Sequence, residues 1–300
     1  MKRYQAGTIL SILVAFVLHG GGLPLQGQHI HLSAGAESTA PNSRLRLINA
    51  ASYDIFSNIG GNSPPTPACF FMSDTDPLYP GLYQVEVGFA ALPGTIWTGG
   101  PAPNAPASGA FLEAEVTHVS GPPGGEIAFW EENEEATETT RRFQVPVGTH
   151  SPTNRFNISQ GFTTPEGPDP FGHIHGRRFT ANKAGLYTVG FRLVDTSTAG
   201  PGNGPIHQPS DPTNYFYFQA GVFINSMMKT NGTVMVQYGA RSFHNYFLEA
   251  CDGLGSTNWI SIATNITTLG PDGAHSDLHY LSDTNASGPQ RFYRLTEIPQ

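Results

Sequence analysis

Apolar residues in this chain recur at every second position, and that period constrains the fold more than any other feature. Tyr187, Val189, Phe191 and Leu193 form one such series, and the stretches 81–90 (GLYQVEVGFA) and 110–119 (AFLEAEVTHV) repeat it. An extended strand sends successive side chains to opposite faces, so a period of two makes one apolar and one polar face. The composition of 110–119 would also suit a helix. Its alternation, and the Gly-Pro-Pro-Gly-Gly at 121–125, decide for a strand. Thirty-five glycines and 25 prolines in 300 residues supply the turns that such short segments need. Charged residues make up 13%, while 19 Phe and 11 Tyr are enough to fill real cores, which excludes a disordered chain. The expected class is all-β, with two β-sandwich-like domains.

In chain order, an initial strand followed by a loop is expected in 28–43, and strands near 44–48, 68–72, 81–90, 110–119, 127–130 and 141–147. The arms 171–180 and 186–194 read as a hairpin joined by 181–185, and 215–224 reads as the last strand of a first domain spanning 28–225. Residues 226–232 (SMMKTNG) read as a linker, and 233–300 as a smaller β module with short strands around 234–238, 246–250, 259–263, 279–281 and 292–296.

Residues 1–27 have the layout of a signal peptide. Lys2 and Arg3 precede an apolar run, Ile9 to Leu18, that is too short to span a bilayer. Export to the periplasm, the cell surface or the medium follows, and no later apolar stretch is long enough for a membrane span. A formal charge of −8 without a basic stripe argues against a nucleic-acid partner. Two cysteines, Cys69 and Cys251, lie far apart and outside any Cys-x-x-Cys, so they read as buried free thiols.

The chemistry is concentrated in two His-x-His triplets, His29-Ile30-His31 and His173-Ile174-His175. On a strand both imidazoles of a triplet share a face, and neutral imidazole is a ligand for zinc or copper. GPIHQPSD adds His207 and Asp211. The expected ligand set is His29, His31, His173, His175 and His207, with Asp211 and Arg177 as supports that orient the ligands. The other mature-chain histidines, His118, His150, His244, His275 and His279, read as ordinary surface or half-buried residues. Gly-x-Ser-x-Gly, His-Glu-x-x-His and phosphate-cradling glycine loops are absent, so no enzyme is expected.

GQHIHLSAGA (27–36), FGHIHGRRFT (171–180), AGLYTVGFRLVD (184–195) and GPIH (204–207) resemble segments of exported, histidine-rich bacterial proteins, of the zinc-responsive PEP-CTERM and "choice-of-anchor" kinds. The resemblance implies an extracytoplasmic β domain that binds zinc. FLEA, NWISIATN and the final RFYR resemble a small β-sandwich module appended to secreted proteins of the same bacteria, which implies attachment to cell-surface or matrix components. The chain ends at Gln300 without a sorting motif, apolar helix and basic tail, so a free periplasmic or secreted protein is expected. The function expected is binding, storage or delivery of a metal ion, zinc first. The alternatives are copper held in a brace by His29 at the mature N-terminus, and a metal-free adhesive or structural protein.

Overall fold

The computed structural model describes residues 30–48, 69–74, 76–91, 105–131, 137, 140–150, 154–161, 163, 167–174, 176–241, 244–253, 257–267, 275–286 and 290–299. The expected signal peptide lies outside them. The strands are β1 (Ile30–Ala36), β2 (Leu45–Leu47), β3 (Cys69–Met72), β4 (Tyr83–Ala91), β5 (Leu112–Ser120), β6 (Glu126–Trp130), β7 (Arg141–Pro146), β8 (Thr149–His150), β9 (Arg155–Asn157) and β10 (Gly172–Ile174). They continue with β11 (Arg178–Ala181), β12 (Gly185–Asp195), β13 (Asn214–Ala220), β14 (Ile224–Thr230), β15 (Thr233–Arg241), β16 (His244–Cys251), β17 (Ile260–Thr267), β18 (His275–Asp283) and β19 (Phe292–Pro299). The protein is all-β, as its alternation implies.

Among the described residues the strands form three sheets. One has seven strands in the order β2-β1-β4-β11-β6-β7, with β10 also paired to β4. A second has nine, in the order β14-β15-β18-β3-β13-β12-β5-β8, with β9 also paired to β5. The third is β17-β16-β19. The first two sheets share one core, to which β1, β4, β6 and β11 contribute from one side and β5, β12 and β13 from the other. Phenylalanine dominates it. Phe89, Phe156, Phe179 and Phe191 meet in edge-on pairs with ring centroids 4.8–6.2 Å apart. Each fully buried ring contributes about 2–3 kcal/mol. A separate cluster, with Val236, Tyr238, Tyr246, Leu248 and Leu281, packs the C-terminal part.

Three expectations change. The arms around 181–185 do not form a hairpin. β11 pairs with β4 and β6, whereas β12 pairs with β5 and β13, so the chain crosses from one sheet to the other at Asn182–Ala184. Alternation is satisfied either way, because Phe179 and Phe191 both point into the same core. The expected strand at 215–224 ends at Ala220, and Gly221 (φ +62°) turns the chain before β14. The expected linker at 226–232 is strand β14 with its turn. β14 pairs with β15 through Asn231-Gly232, both with positive φ (50° and 79°), as a tight hairpin turn requires. β15 pairs with β18, and β18 pairs with β3, so the C-terminal strands extend a sheet of the sandwich. Gln219 is fully buried there, its side-chain amide donating to the carbonyls of Gly221 and Gly239. Cys251 is a buried free thiol.

Candidate metal centre

Strand β4 is the reference for both triplets. Val85, Val87, Phe89 and Ala91 enter the core, so Glu86, Gly88 and Ala90 belong to the outer face. β1 runs parallel along one edge, with His31 opposite Gly88 and Ser33 opposite Ala90. β10 runs antiparallel along the other edge, with His173 opposite Ala90. Gly88 and Ala90 are two residues apart, so positions 31 and 173 share the outer face, separated by one strand that carries small residues there. Two strand spacings and two residues along the strand put their Cα atoms about 12 Å apart. The His173 side chain is half-buried. His29 and His175 lie outside the described residues, and for His31 only the backbone is described.

Between β10 and β11 the register slips. Ile174 opposes Phe89 and Arg178 opposes Glu86, so the chain has one more residue between 174 and 178 than β4 has between 86 and 89. This bulge is closed by the Gly176 N–H donating to the Glu86 carboxylate at 2.8 Å, with Gly176 at φ +79°. Its consequence is the reversal of Arg177. Unbroken alternation would keep 173, 175 and 177 on one face, whereas Arg177 is turned into the core and only 1% exposed. Its guanidinium lies 5.8 and 5.4 Å from the ring centroids of Phe129 and Phe156. It donates to the Glu131 carboxylate at 2.8 and 3.3 Å and to the Asn157 side-chain and backbone oxygens. Arg177 therefore ties β6 to β9 from inside the sandwich, in place of the expected orientation of a ligand. Arg178 stays outside, paired with Glu86 at 2.6 Å.

His207 is also engaged structurally. It is 1% exposed, its Nε2 accepts the N–H of Ala107 at 2.8 Å, and its Nδ1 lies 2.9 Å from the Ser43 hydroxyl. An Nε2 that accepts leaves the proton on Nδ1, so the ring as placed keeps no lone pair for a metal. The segment carrying it is held by Asp195, whose carboxylate accepts four backbone N–H groups, from Phe111, Ser197, Ile206 and His207, at 2.8–3.0 Å. Burial alone pushes this carboxyl up. The N–H donors of His207, Ser197 and Phe111 outweigh burial and hold it below its ordinary range. Asp211 is exposed and sits 3.7 Å from Arg44.

A different histidine pair forms across the sheet. His118 on β5 is the register partner of His150 on β8, and their Nδ1 atoms are 3.0 Å apart. β5 bulges beside it: Gly190 of β12 opposes His118 while Phe191 opposes Val116, leaving Thr117 extra. Residues 118 and 150 are separated by 31 others, so the signal that would find them is strand register and not a motif. Elsewhere, a groove of about 520 Å³ lies over β6, β7 and β11, lined by Glu126, Gln144, Thr180 and Asn182.

Among the described residues no three His, Cys, Asp or Glu side chains converge in a way that would hold a metal ion, and no helix is long and apolar enough to cross a membrane. In comparison with known proteins, the chain matches no protein-family model and no curated sequence.

Proposed function

We propose that this is an exported metal-binding protein, selective for zinc before copper, that binds, stores or delivers the ion and does not catalyse a reaction. The ligands in this reading are His29, His31, His173 and His175. The observation that supports it is the strand register. Positions 31 and 173, one from each triplet and 142 residues apart in the chain, flank the same strand, β4, with His31 opposite Gly88 and His173 opposite Ala90 on one face. A sandwich of this size has many edges, and independent triplets would have no reason to share a neighbour. The β4 residues opposite positions 31 and 173, Gly88 and Ala90, are small and buried, so side chains from both neighbouring strands pack close over this strand. Export rests on the basic and apolar stretch at 2–18, and attachment to surface or matrix components through the C-terminal strands is part of the same reading.

The test is zinc content of the purified mature protein after loading and desalting, measured by elemental analysis. Near-stoichiometric zinc that is lost on joint replacement of His173 and His175 by Ala is expected. Retention of zinc by that variant, or a melting temperature indifferent to zinc and to chelator, would sink the reading, since a ligand of the native state must raise stability.

A further inference from the structure

We propose that His118 and His150 form a second, bidentate site for a divalent transition-metal ion, copper(II) before zinc(II), on the outer face of the nine-stranded sheet. It involves neither His-x-His triplet and lies on the sheet across the core from β4, so it stands or falls independently of the reading above.

The geometry carries the inference. Direct cross-strand partners bring side chains closer than residues two apart on one strand, about 5 Å against 7 Å between Cβ atoms. Here the pairing of β5 with β8 brings two Nδ1 atoms to 3.0 Å, with ring centroids 4.8 Å apart. Two nitrogens about 2.0–2.1 Å from one ion and 3.0 Å from each other subtend an angle near 90°, the angle of adjacent corners in a square-planar or tetragonal site. A tetrahedral ion would need them about 3.3 Å apart. The hydrogen-bonded spacing lies within a few tenths of an ångström of either geometry, and copper(II) leads the affinity order for nitrogen ligands. Water or a ligand from solution fills the remaining positions, because the His150 side is exposed.

The pair is held in advance of any ion. The extra residue at Thr117 bulges β5, and Gly190 leaves open the place where a side chain would lie between His118 and the next strands. A Cβ at 190 would stand 2.8 Å from Thr117 and Thr213 and 3.2 Å from His118. Tyr215, the partner of Gly190 on β13, reaches over it and meets the His118 ring edge-on at 5.7 Å. Burial and the neighbouring His150 hold the His118 imidazole below its ordinary range, so the ring is neutral at neutral pH. Without metal, one ring donates its Nδ1–H to the other. Binding requires that proton to move to Nε2 of the same ring through solvent, which frees both Nδ1 lone pairs with no net proton release.

The experiment is titration of the whole mature protein with copper(II) and with zinc(II), followed by calorimetry and, for copper, by electron paramagnetic resonance. Four proteins are compared: wild type, His118→Gln, His150→Gln, and the joint His173→Ala/His175→Ala variant. Both glutamine variants change a solvent-accessible pair, and thermal melts check their folding. The expected result is a copper signal with two nitrogen ligands that survives in the joint variant. Each glutamine variant should weaken that event by roughly tenfold to a hundredfold. Zinc should bind the same pair more weakly. Persistence of the signal in either glutamine variant, or its loss only in the joint variant, overturns the proposal. The latter outcome would assign the copper to the triplets instead.

Discussion

Two β-bulges in this molecule stand beside histidines, and they act in opposite directions. The one at 175–177 turns Arg177 inward, where Glu131, Asn157 and two phenylalanine rings enclose it. The one at Thr117 keeps His118 outward, against His150 and Tyr215. Both insert one residue into a strand and shift side-chain parity by one. The outcome depends on what each side of the sheet offers. On the inner side at 177 Glu131 and Asn157 supply the partners that a guanidinium buried among aromatic rings requires. On the outer side at 118 a glycine leaves space for rings to approach. A bulge is thus a device for placing a polar side chain against the alternation, and its neighbours decide whether the result is a structural tie or an accessible ligand.

The largest effect expected from breaking this contrast is at Arg177. Arg177→Ala leaves the Glu131 carboxylate without its partner and opens a void beneath Phe129 and Phe156. A loss of about 3–5 kcal/mol in chemical denaturation is expected. A loss below about 1 kcal/mol, the range of exposed ion pairs, would show that the inward bulge carries no structural load and would erase the comparison.

Asp195 extends the inward side. Asp195→Ala leaves the N–H groups of Phe111, Ser197, Ile206 and His207 without their acceptor and is expected to cost about 3 kcal/mol. The sign with pH follows from its depressed folded value. The contribution is fully present above the unfolded value of 3.8, and it is lost as pH falls through the lower folded value. Acid titration of stability should show a step below pH 3.8 in the wild type that is missing in the variant.

Period two identified nearly every core strand from the residues alone, because facing is a local property of the chain. Partnership is not local. Phe179 and Phe191 alternate as a hairpin would, yet they meet across the core from different sheets. Ser226 to Gly232 carries the composition of a linker and forms most of a hairpin arm, since an outer strand with exposed Met227 and Met228 has no apolar face to announce it. At the candidate site the same limit applies twice. Arg177 continues the parity of His173 in the sequence, and a single inserted residue reverses it. His207 stands in a loop motif that resembles a ligand's surroundings, but Ser43 and Ala107, which occupy its two nitrogens, come from 164 and 100 residues away. His118 and His150 carry no motif at all.

Gly190 tests the outward bulge. Gly190→Ala forces a Cβ to within 2.8 Å of Thr117 and Thr213, and the neighbours must shift. A stability loss of about 1–3 kcal/mol is expected. The ring signals of His118 and His150 in the nuclear magnetic resonance spectrum should move, while that of His173 should not. Unchanged His118 and His150 signals would mean that the glycine does not set the spacing of the pair.

The smallest effect is at the pair itself. His118→Gln alters a surface site and should change stability at pH 7.5 by no more than about 0.5 kcal/mol. The informative reading is the slope with pH. Burial and His150 lower the folded value of His118 below 6.5, so between the folded value and 6.5 the unfolded chain binds more protons, and stability falls on acidification through that window. Above 6.5 both states are neutral at this residue and the slope vanishes. Denaturant midpoints measured across this range should fall less steeply in His118→Gln than in the wild type. Adding copper(II) at pH 7.5 should raise the wild-type midpoint without raising that of the variant. Identical slopes and identical responses to copper would place His118 with the ordinary surface histidines, and the outward bulge would then be a twist in the sheet without a ligand to present.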